Sequence, residues 1–397
     1  MKEKVVLAFS GGLDTSFCVK YLSNEKQLEV HSVVANTGGF SEKELEVIEK
    51  KAWQLGVKSH KTIEITTEYY DKCIKYLIYG NILRNQTYPL SVSSERSFQA
   101  LAVINYAREI GANYVAHGST GAGNDQVRFD LIFHVMAPEI EIITPIRDLK
   151  ISRQEEIDYL KKQGVEADWK KMEYSINKGL WGTSIGGKET LTSKDPLPEE
   201  AFPSHVEKQE PSTIKLSFEK GTLKSLNDKH MDDPVEIIKK IDETASAYAI
   251  GRGMHIGDTI IGIKGRVGFE APAPLIIIQA HQVLEKHTLT KWQMHWKDQL
   301  ANWYGMMLHE GLYLEPVMRN IEEFLISSQD KVNGDAFIRL EPYRFEVEGI
   351  ESPNDLMDAG FASYGEMNES WTGEDVKGFT KIISNQLNIY NAVNNGL

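Results

Sequence analysis

Two stretches combine residue types and spacings that could do chemistry. The first, residues 8–18 (AFSGGLDTSFC), runs an apolar segment into Ser10, Gly11 and Gly12 and then into Asp14, Thr15 and Ser16. A tight turn at the glycines leaves backbone N–H groups facing outward, and a helix behind them adds its positive end. The stretch can therefore cradle a phosphate. Ser10, Thr15 and Ser16 add hydroxyl donors, and Asp14 can cap the helix or help to hold a magnesium ion. A plain capped strand–turn–helix junction would use the same residue types. The second stretch, residues 116–130 (AHGSTGAGNDQVRFD), gathers Thr120, Asn124, Asp125 and Arg128. Arg suits a carboxylate and Asp an ammonium group, so this set fits an amino acid, although a glycine-rich surface loop has a similar composition.

Both stretches need strands to hold them. Residues 5–9 read as a buried strand and 13–22 as a helix; strand 30–35, helix 41–55, strand 59–65, helix 98–110 and strand 114–117 continue the alternation. This order predicts an α/β fold, a parallel doubly wound sheet with helices on both faces. Ligands then sit at the carboxyl ends of the strands, where the glycine-rich segments after Phe9, Ala35 and His117 fall. Beyond about residue 168 the texture changes. Residues 195–211 read as an exposed loop rich in Pro and Glu, 214–218, 259–262 and 275–279 as strands, and 234–248 and 292–307 as helices of an α+β region. Residues 374–394 read as a tail able to pack on another subunit, and no internal repeat is present.

The chain has 397 residues, too many for one ordinary core. Its formal charge of −13 argues against a nucleic-acid partner. Cys18 and Cys73 lack CxxC spacing, so no disulfide framework or cysteine zinc site is expected. No stretch approaches the ~20 apolar residues of a membrane span, and the amino terminus is not a signal core. A cytoplasmic protein without a membrane partner is expected.

SGGLDTS resembles the PP-loop of adenine-nucleotide α-hydrolases, a Rossmann-like fold that splits ATP between its α and β phosphates. Together with HGSTGAGNDQVRF, YPLSVS, YSINKGLWGTSIGG, AIGRGMHIGDTIIGIKGR, AHQVLEKHTL and VNGDAFIRL, it is similar to the argininosuccinate synthase family over nearly the whole chain. The resemblance implies an ATP-dependent C–N ligase of arginine biosynthesis that joins citrulline to aspartate through a citrullyl-adenylate, with ATP and Mg²⁺ and no resident metal site. It divides the chain into an ATP-binding part (1–167), a synthetase part (168–360) and a carboxyl-terminal oligomerisation tail (361–397) of a homotetramer. Carried over by motif, ATP would contact Ala8, Ser10, Gly11, Gly12, Asp14, Thr15, Ser16, Ala35, Gly118 and Phe129. Aspartate would contact Tyr88, Thr120, Asn124 and Asp125. Citrulline would meet Ser93, Asn124, Arg128, Ser175 and Ser184, with Gly257 and Phe269 at its amino-acid end. Catalytic work would fall on Asp14, Asp125 and Arg128 as positioning and charge-neutralising groups, with no general base assigned.

Several positions depart from the family pattern. Gly257 and Phe269 stand where a glutamate and a tyrosine are usual, Gly186 where a glutamate, Gly179 where an asparagine and Ala122 where a lysine is common, and SSERS (93–97) replaces a more apolar segment. One reading is neutral drift with free citrulline still bound. The other is an Nα-acylated (succinyl or acetyl) citrulline, whose uncharged nitrogen needs no carboxylate, with Lys178 and His255 available to an extra carboxylate. A relative that senses a nucleotide or amino acid without turnover is a third reading. tRNA thiolation on the same loop is disfavoured by the two unpaired cysteines and the acidic charge.

Overall fold

In strand β1 (Lys4–Ala8), Val5 and Leu7 pack into the apolar layer on one side of a sheet and Val6 into the layer on the other, all fully buried. Only a sheet covered on both faces accommodates that pattern. The structure is a computed structural model and describes residues 2–166, 174–358 and 370–395. β2 (Glu29–Asn36), β3 (Ser59–Glu64), β4 (Tyr114–Ala116) and β5 (Glu141–Ile143) join β1 in an all-parallel sheet of order β3-β2-β1-β4-β5. The helices of this half are α1 (Leu13–Asn24), α2 (Glu42–Leu55), the short α3 (Thr66–Tyr69) and α4 (Lys75–Tyr79), the long α5 (Ser91–Glu109), α6 (Asp125–Met136), short α7 (Pro145–Leu149) and α8 (Arg153–Lys162). Phe17 of α1, Ile48 of α2 and Leu160 of α8 meet Val5 and Leu7, while Val103 of α5 and Phe133 of α6 meet Val6. The predicted doubly wound α/β half is thus present.

Local chemistry sets the helix ends. Ser41 and Glu44 form a reciprocal capping box at the start of α2, and Gly56 closes it in the left-handed conformation. Helix α5 begins seven residues earlier than the predicted 98, after Leu90 at φ +62, a costly conformation for a bulky residue that is held here by complete burial. That early start places Ser93, Glu95 and Arg96 on a rigid element.

The second half holds two antiparallel sheets. One has the order β10-β9-β8-β13-β14, built from β8 (Ser212–Glu219), β9 (Thr222–Leu226), β10 (Lys229–His230), β13 (Gly334–Glu341) and β14 (Arg344–Glu351). The other, β11-β12-β7-β6, brings β6 (Ser175–Gly179) and β7 (Gly182–Gly186) beside β11 (Arg252–Asp258) and β12 (Lys264–Glu270). Two motifs about 80 residues apart in sequence become neighbours here. Helices α9 (Pro234–Ser246), α10 (Pro272–Thr288), α11 (Lys291–His309) and α12 (Pro316–Ser328) pack around them.

Two predicted strands are absent. Residues 259–262 form the turn of the β11–β12 hairpin, where Gly262 takes φ +84 and its N–H donates to the Thr259 carbonyl at 2.9 Å. Turn chemistry overrides the β-branched run Thr-Ile-Ile. Residues 275–279 lie inside α10, which starts on Pro272 and buries Ile276, Ile277 and Ile278. A short apolar run has no period that separates a buried helix from a buried strand, and the proline at the first turn was the distinguishing sign. The tail forms two helices, α13 (Gly373–Ile383) and α14 (Asn385–Asn395), none of whose residues is buried. The expected boundaries after residues 167 and 360 lie outside the described residues.

Candidate active site

The order of the parallel sheet reverses between β1 and β4, which opens a crevice at the carboxyl ends of those strands. A cavity of about 930 Å³ lies there, walled by the loops after β1 and β4, the start of α5, and the β11-β12-β7-β6 sheet.

The loop after β1 is built as its sequence suggests. Gly11 sits at φ +74, and a β-carbon there would come 3.3 Å from Ile48 of α2. Gly12 is the N-cap of α1 and offers no side chain, so the first N–H groups of the helix are left for a ligand. The hydroxyls of Ser10 and Thr15 lie 3.4 Å apart. Behind the loop, Ser16 donates to the Gly12 carbonyl at 2.6 Å and Lys51 of α2 donates to the Gly11 carbonyl at 2.5 Å. Ala8, Ser10, Gly12, Asp14, Thr15, Ala35, Gly118 and Phe129 line the cavity, whereas Gly11 and Ser16 shape the loop from behind. Gly118 lies close over α1, where a β-carbon would be 3.3 Å from that of Asp14.

The loop after β4 is braced by a charged relay. Ser119 N–H donates to His117 Nδ1 at 3.2 Å, so His117 Nε2 carries the proton that it gives to Asp130 at 2.8 Å. Arg147 holds the other Asp130 oxygen at 2.6 Å. Asn124 Oδ1 accepts from the Ile260 N–H at 2.9 Å, which pins the hairpin turn onto this loop and leaves the Asn124 N–H groups to the cavity.

At the centre stands Asp125, on the first turn of α6. Its Oδ2 accepts from Arg96 Nε and its Oδ1 from Arg128 Nη1, each at 2.9 Å. Burial opposes its charge, but Arg96 and Arg128 outweigh burial and hold the carboxyl down at about 2. It is an anion at any working pH. Arg128 is itself committed: Nε and Nη2 donate to the His309 carbonyl at 2.9 and 2.8 Å, and Nη2 also meets His309 Nδ1 at 3.3 Å. At most one of its five N–H groups remains for a ligand. Burial, with Arg128 and Arg84 nearby, pushes the His309 ring down to about 3, so it is neutral, and its Nε2 has no partner.

Tyr88, Ser93, Thr120, Asn124, Asp125, Arg128, Ser175, Ser184 and Gly257 all face this cavity, and Phe269 does not. Phe269 is buried behind Tyr88, ring centroids 5.5 Å apart, and braces it. The two glycine replacements differ in effect. A β-carbon at Gly257 would meet His255 Nε2 at 2.7 Å and Asn85 Nδ2 at 3.3 Å, so His255, stacked on Tyr88 at 5.2 Å, fills that space. At Gly186 the nearest atom is the Ser175 β-carbon at 3.8 Å, an ordinary contact, and Gly186 is not among the residues that line the cavity. Glu95, Arg96, Gln99, His117 and His309 also line the cavity and were not assigned from sequence, because their roles depend on partners from distant elements.

Glu156 of α8 lies near the phosphate-type loop, 3 % exposed. Burial first, and then the neighbouring Asp14 carboxylate, push its carboxyl up to about 8. A raised carboxyl favours folding in its neutral form, so this contribution is present below the ordinary carboxylate range and is lost as pH rises to about 8. The unfolding free energy of Glu156→Gln, followed in urea, should therefore fall less between pH 5 and 8 than that of the parent.

The family model described as Arginosuccinate synthase N-terminal HUP domain matches residues 4–166, and that described as Arginosuccinate synthase C-terminal domain matches residues 174–390. Among similar proteins, the argininosuccinate synthase of Dictyoglomus thermophilum is 38% identical over 392 residues, covering 98% of both chains. That of Methanocaldococcus jannaschii is 36% identical over 369 residues, 92% of this chain and 93% of its own. That of Xanthomonas campestris is 36% identical over 404 residues, 99% of both. With two family models matched in succession over the fold that carries the cavity, the chain belongs to the argininosuccinate synthase family.

Proposed function

We propose that this chain joins citrulline to L-aspartate at the expense of ATP, through a citrullyl-adenylate, releasing AMP and pyrophosphate. The observation that carries the reading is convergence. An anion cradle at the end of β1, an ionised Asp125 between two arginines, and the serines of β6 and β7 face one cavity large enough for a nucleotide and two amino acids. The cradle and the start of α1 take the leaving pyrophosphate, and Ala35, Gly118 and Phe129 border the nucleoside. Tyr88, Thr120, Asn124 and Asp125 hold the aspartate, while Ser93, Asn124, Ser175, Ser184 and the remaining N–H of Arg128 hold the citrulline. Oriented reactants and neutralised phosphate charge supply the rate, and no protein nucleophile is required.

Magnesium would travel with the nucleotide. Among the described residues no group of three or more His, Cys, Asp or Glu could hold a metal ion, which suits an ion carried by phosphates with Asp14 as its protein ligand. Bound there, it would neutralise phosphate charge. Among those residues no helix is long and apolar enough to cross a membrane, and a cytoplasmic enzyme is part of this reading. So are the three-part division at 167 and 360 and a homotetramer, supported by the exposed Phe379, Ile382, Leu387 and Tyr390 of the tail helices.

A second substrate, Nα-acylated citrulline, is favoured by Lys178 and His255, two residues lining the cavity that could meet an extra carboxylate. The test is aspartate-dependent AMP and pyrophosphate release with citrulline, Nα-acetylcitrulline and Nα-succinylcitrulline offered separately. Citrulline is expected to be turned over with the highest kcat/KM. An acylated form winning by tenfold or more would transfer the assignment to it, and binding without turnover of any would leave a sensor.

A further inference from the structure

Glu95 is a buried carboxylate facing the cavity, 1 % exposed. Its Oε2 accepts from Thr37 Oγ1 at 2.5 Å, just beyond the end of β2, and its Oε1 accepts from Arg96 Nη1 at 3.2 Å. The same Arg96 donates through Nε to Asp125, so Glu95 stands one guanidinium away from the group that holds the aspartate ammonium. Room has been made for it. A β-carbon at position 179 would come 2.2 Å from Glu95 Oε2, so the glycine there leaves the space that Glu95 occupies in this place.

We propose that Glu95 accepts the proton from the amino nucleophile in the ligation step, a role that rests on the citrulline–aspartate reading above. The α-ammonium of aspartate gives one proton to a Glu95 oxygen. The freed nitrogen lone pair then forms the C–N bond to the adenylated ureido carbon. The C–O bond to the α-phosphate breaks, AMP leaves with that electron pair, and the second nitrogen proton departs with the AMP phosphate as the guanidinium forms.

The surroundings fit. Burial pushes the Glu95 carboxyl up to about 7 against the pull of Arg96 and Thr37, the range in which a base works best near neutrality. The titratable and charged groups facing it are Arg96 from its own helix, Asp125 from α6 and Tyr69 from α3. Asp125 is ionised throughout, and burial drives the Tyr69 phenol well up, so it stays neutral. Glu95 is the member of this set that changes charge between about pH 6 and 8.

The full-length enzyme and its Glu95→Gln and Glu95→Asp variants separate the two half-reactions. Citrulline-dependent exchange of pyrophosphate into ATP without aspartate reads adenylation alone; argininosuccinate formation across pH reads ligation. Glu95→Gln should keep exchange within about twofold of the parent while ligation falls roughly 100-fold, and the acid limb near pH 7 should vanish. Glu95→Asp should regain part of the rate with an acid limb. Parent-like ligation by Glu95→Gln, or an acid limb unmoved in it, would overturn the role, as would equal loss of exchange and ligation in both variants, the mark of a merely structural residue. A parent that performs neither reaction removes the ligation reading, and the role of Glu95 with it.

Discussion

Asp125→Ala is expected to lower kcat/KM for aspartate roughly 1,000-fold and to lower thermal stability as well. The carboxylate bridges Arg96 and Arg128 with bonds of 2.9 Å on each side, and among the described residues no other carboxylate pairs with both guanidiniums. Removing it takes away the anion for the aspartate ammonium and frees two cations to repel that same group. Stability is affected too. The Asp125 side chain keeps 38 % of its surface open to the cavity, but Arg96 and Arg128 are 12 % and 3 % exposed, so removing their shared carboxylate strands buried cations and should cost about 3 kcal/mol. Asp125→Asn, which keeps the shape, should fail similarly, because the charge carries the effect. Steady-state kinetics with aspartate varied, beside calorimetry, would check both halves. A variant as stable as the parent, or one that retains aspartate turnover, would contradict this account.

The second large effect is expected at Gly39, in the loop after β2. A β-carbon there would lie 2.2 Å from the Lys178 carbonyl oxygen, 2.6 Å from its carbon and 2.9 Å from the Gly179 α-carbon. All three are backbone atoms, so no side chain can swing aside. Close by, the Leu180 N–H donates to the Thr37 carbonyl at 3.3 Å, which makes this the seam between the nucleotide loop and β6. Gly39→Ala should cost about 2–3 kcal/mol in urea unfolding. It should also slow ligation by roughly tenfold or more, since displacing Thr37 releases Glu95 and displacing β6 moves Ser175. Gly378→Ala is the control: nothing lies within 4 Å of its β-carbon in the middle of α13, so a helix-favouring gain of about 0.5–1 kcal/mol is expected. An unaffected Gly39→Ala protein would show that the seam yields.

Most of the parallel half was legible because β1, β2 and β4 are short apolar runs that end in turns, whereas β5, three residues long, carries too little pattern to be read. Strand 30–35, for example, extends by one residue at each end. Position 275 failed for the opposite reason: three consecutive isoleucines buried on all sides show no period. In the site, Ser10, Thr120 and Asn124 came from loop motifs together with the family resemblance, and all three line the cavity. Glu95 and Arg96 stood inside a segment flagged only as unusually polar, because what they do depends on Asp125 and Gly179, which no local pattern connects to them. His309 reaches Arg128 across 181 residues of sequence. The question left by Gly257 and Gly186 was one of volume, and volume is a property of neighbours: His255 fills the space beside Gly257, and Gly186 packs against Ser175 off the cavity lining.

The measurement that bears most directly on the ligase reading uses citrulline carrying ¹⁸O in its ureido group, with ATP, Mg²⁺ and aspartate. Attack of that oxygen on the α-phosphorus, followed by displacement of AMP, predicts one ¹⁸O atom in each AMP released and none in pyrophosphate. Unlabelled AMP formed alongside argininosuccinate would contradict the adenylate route, and no argininosuccinate at all would contradict the ligation itself.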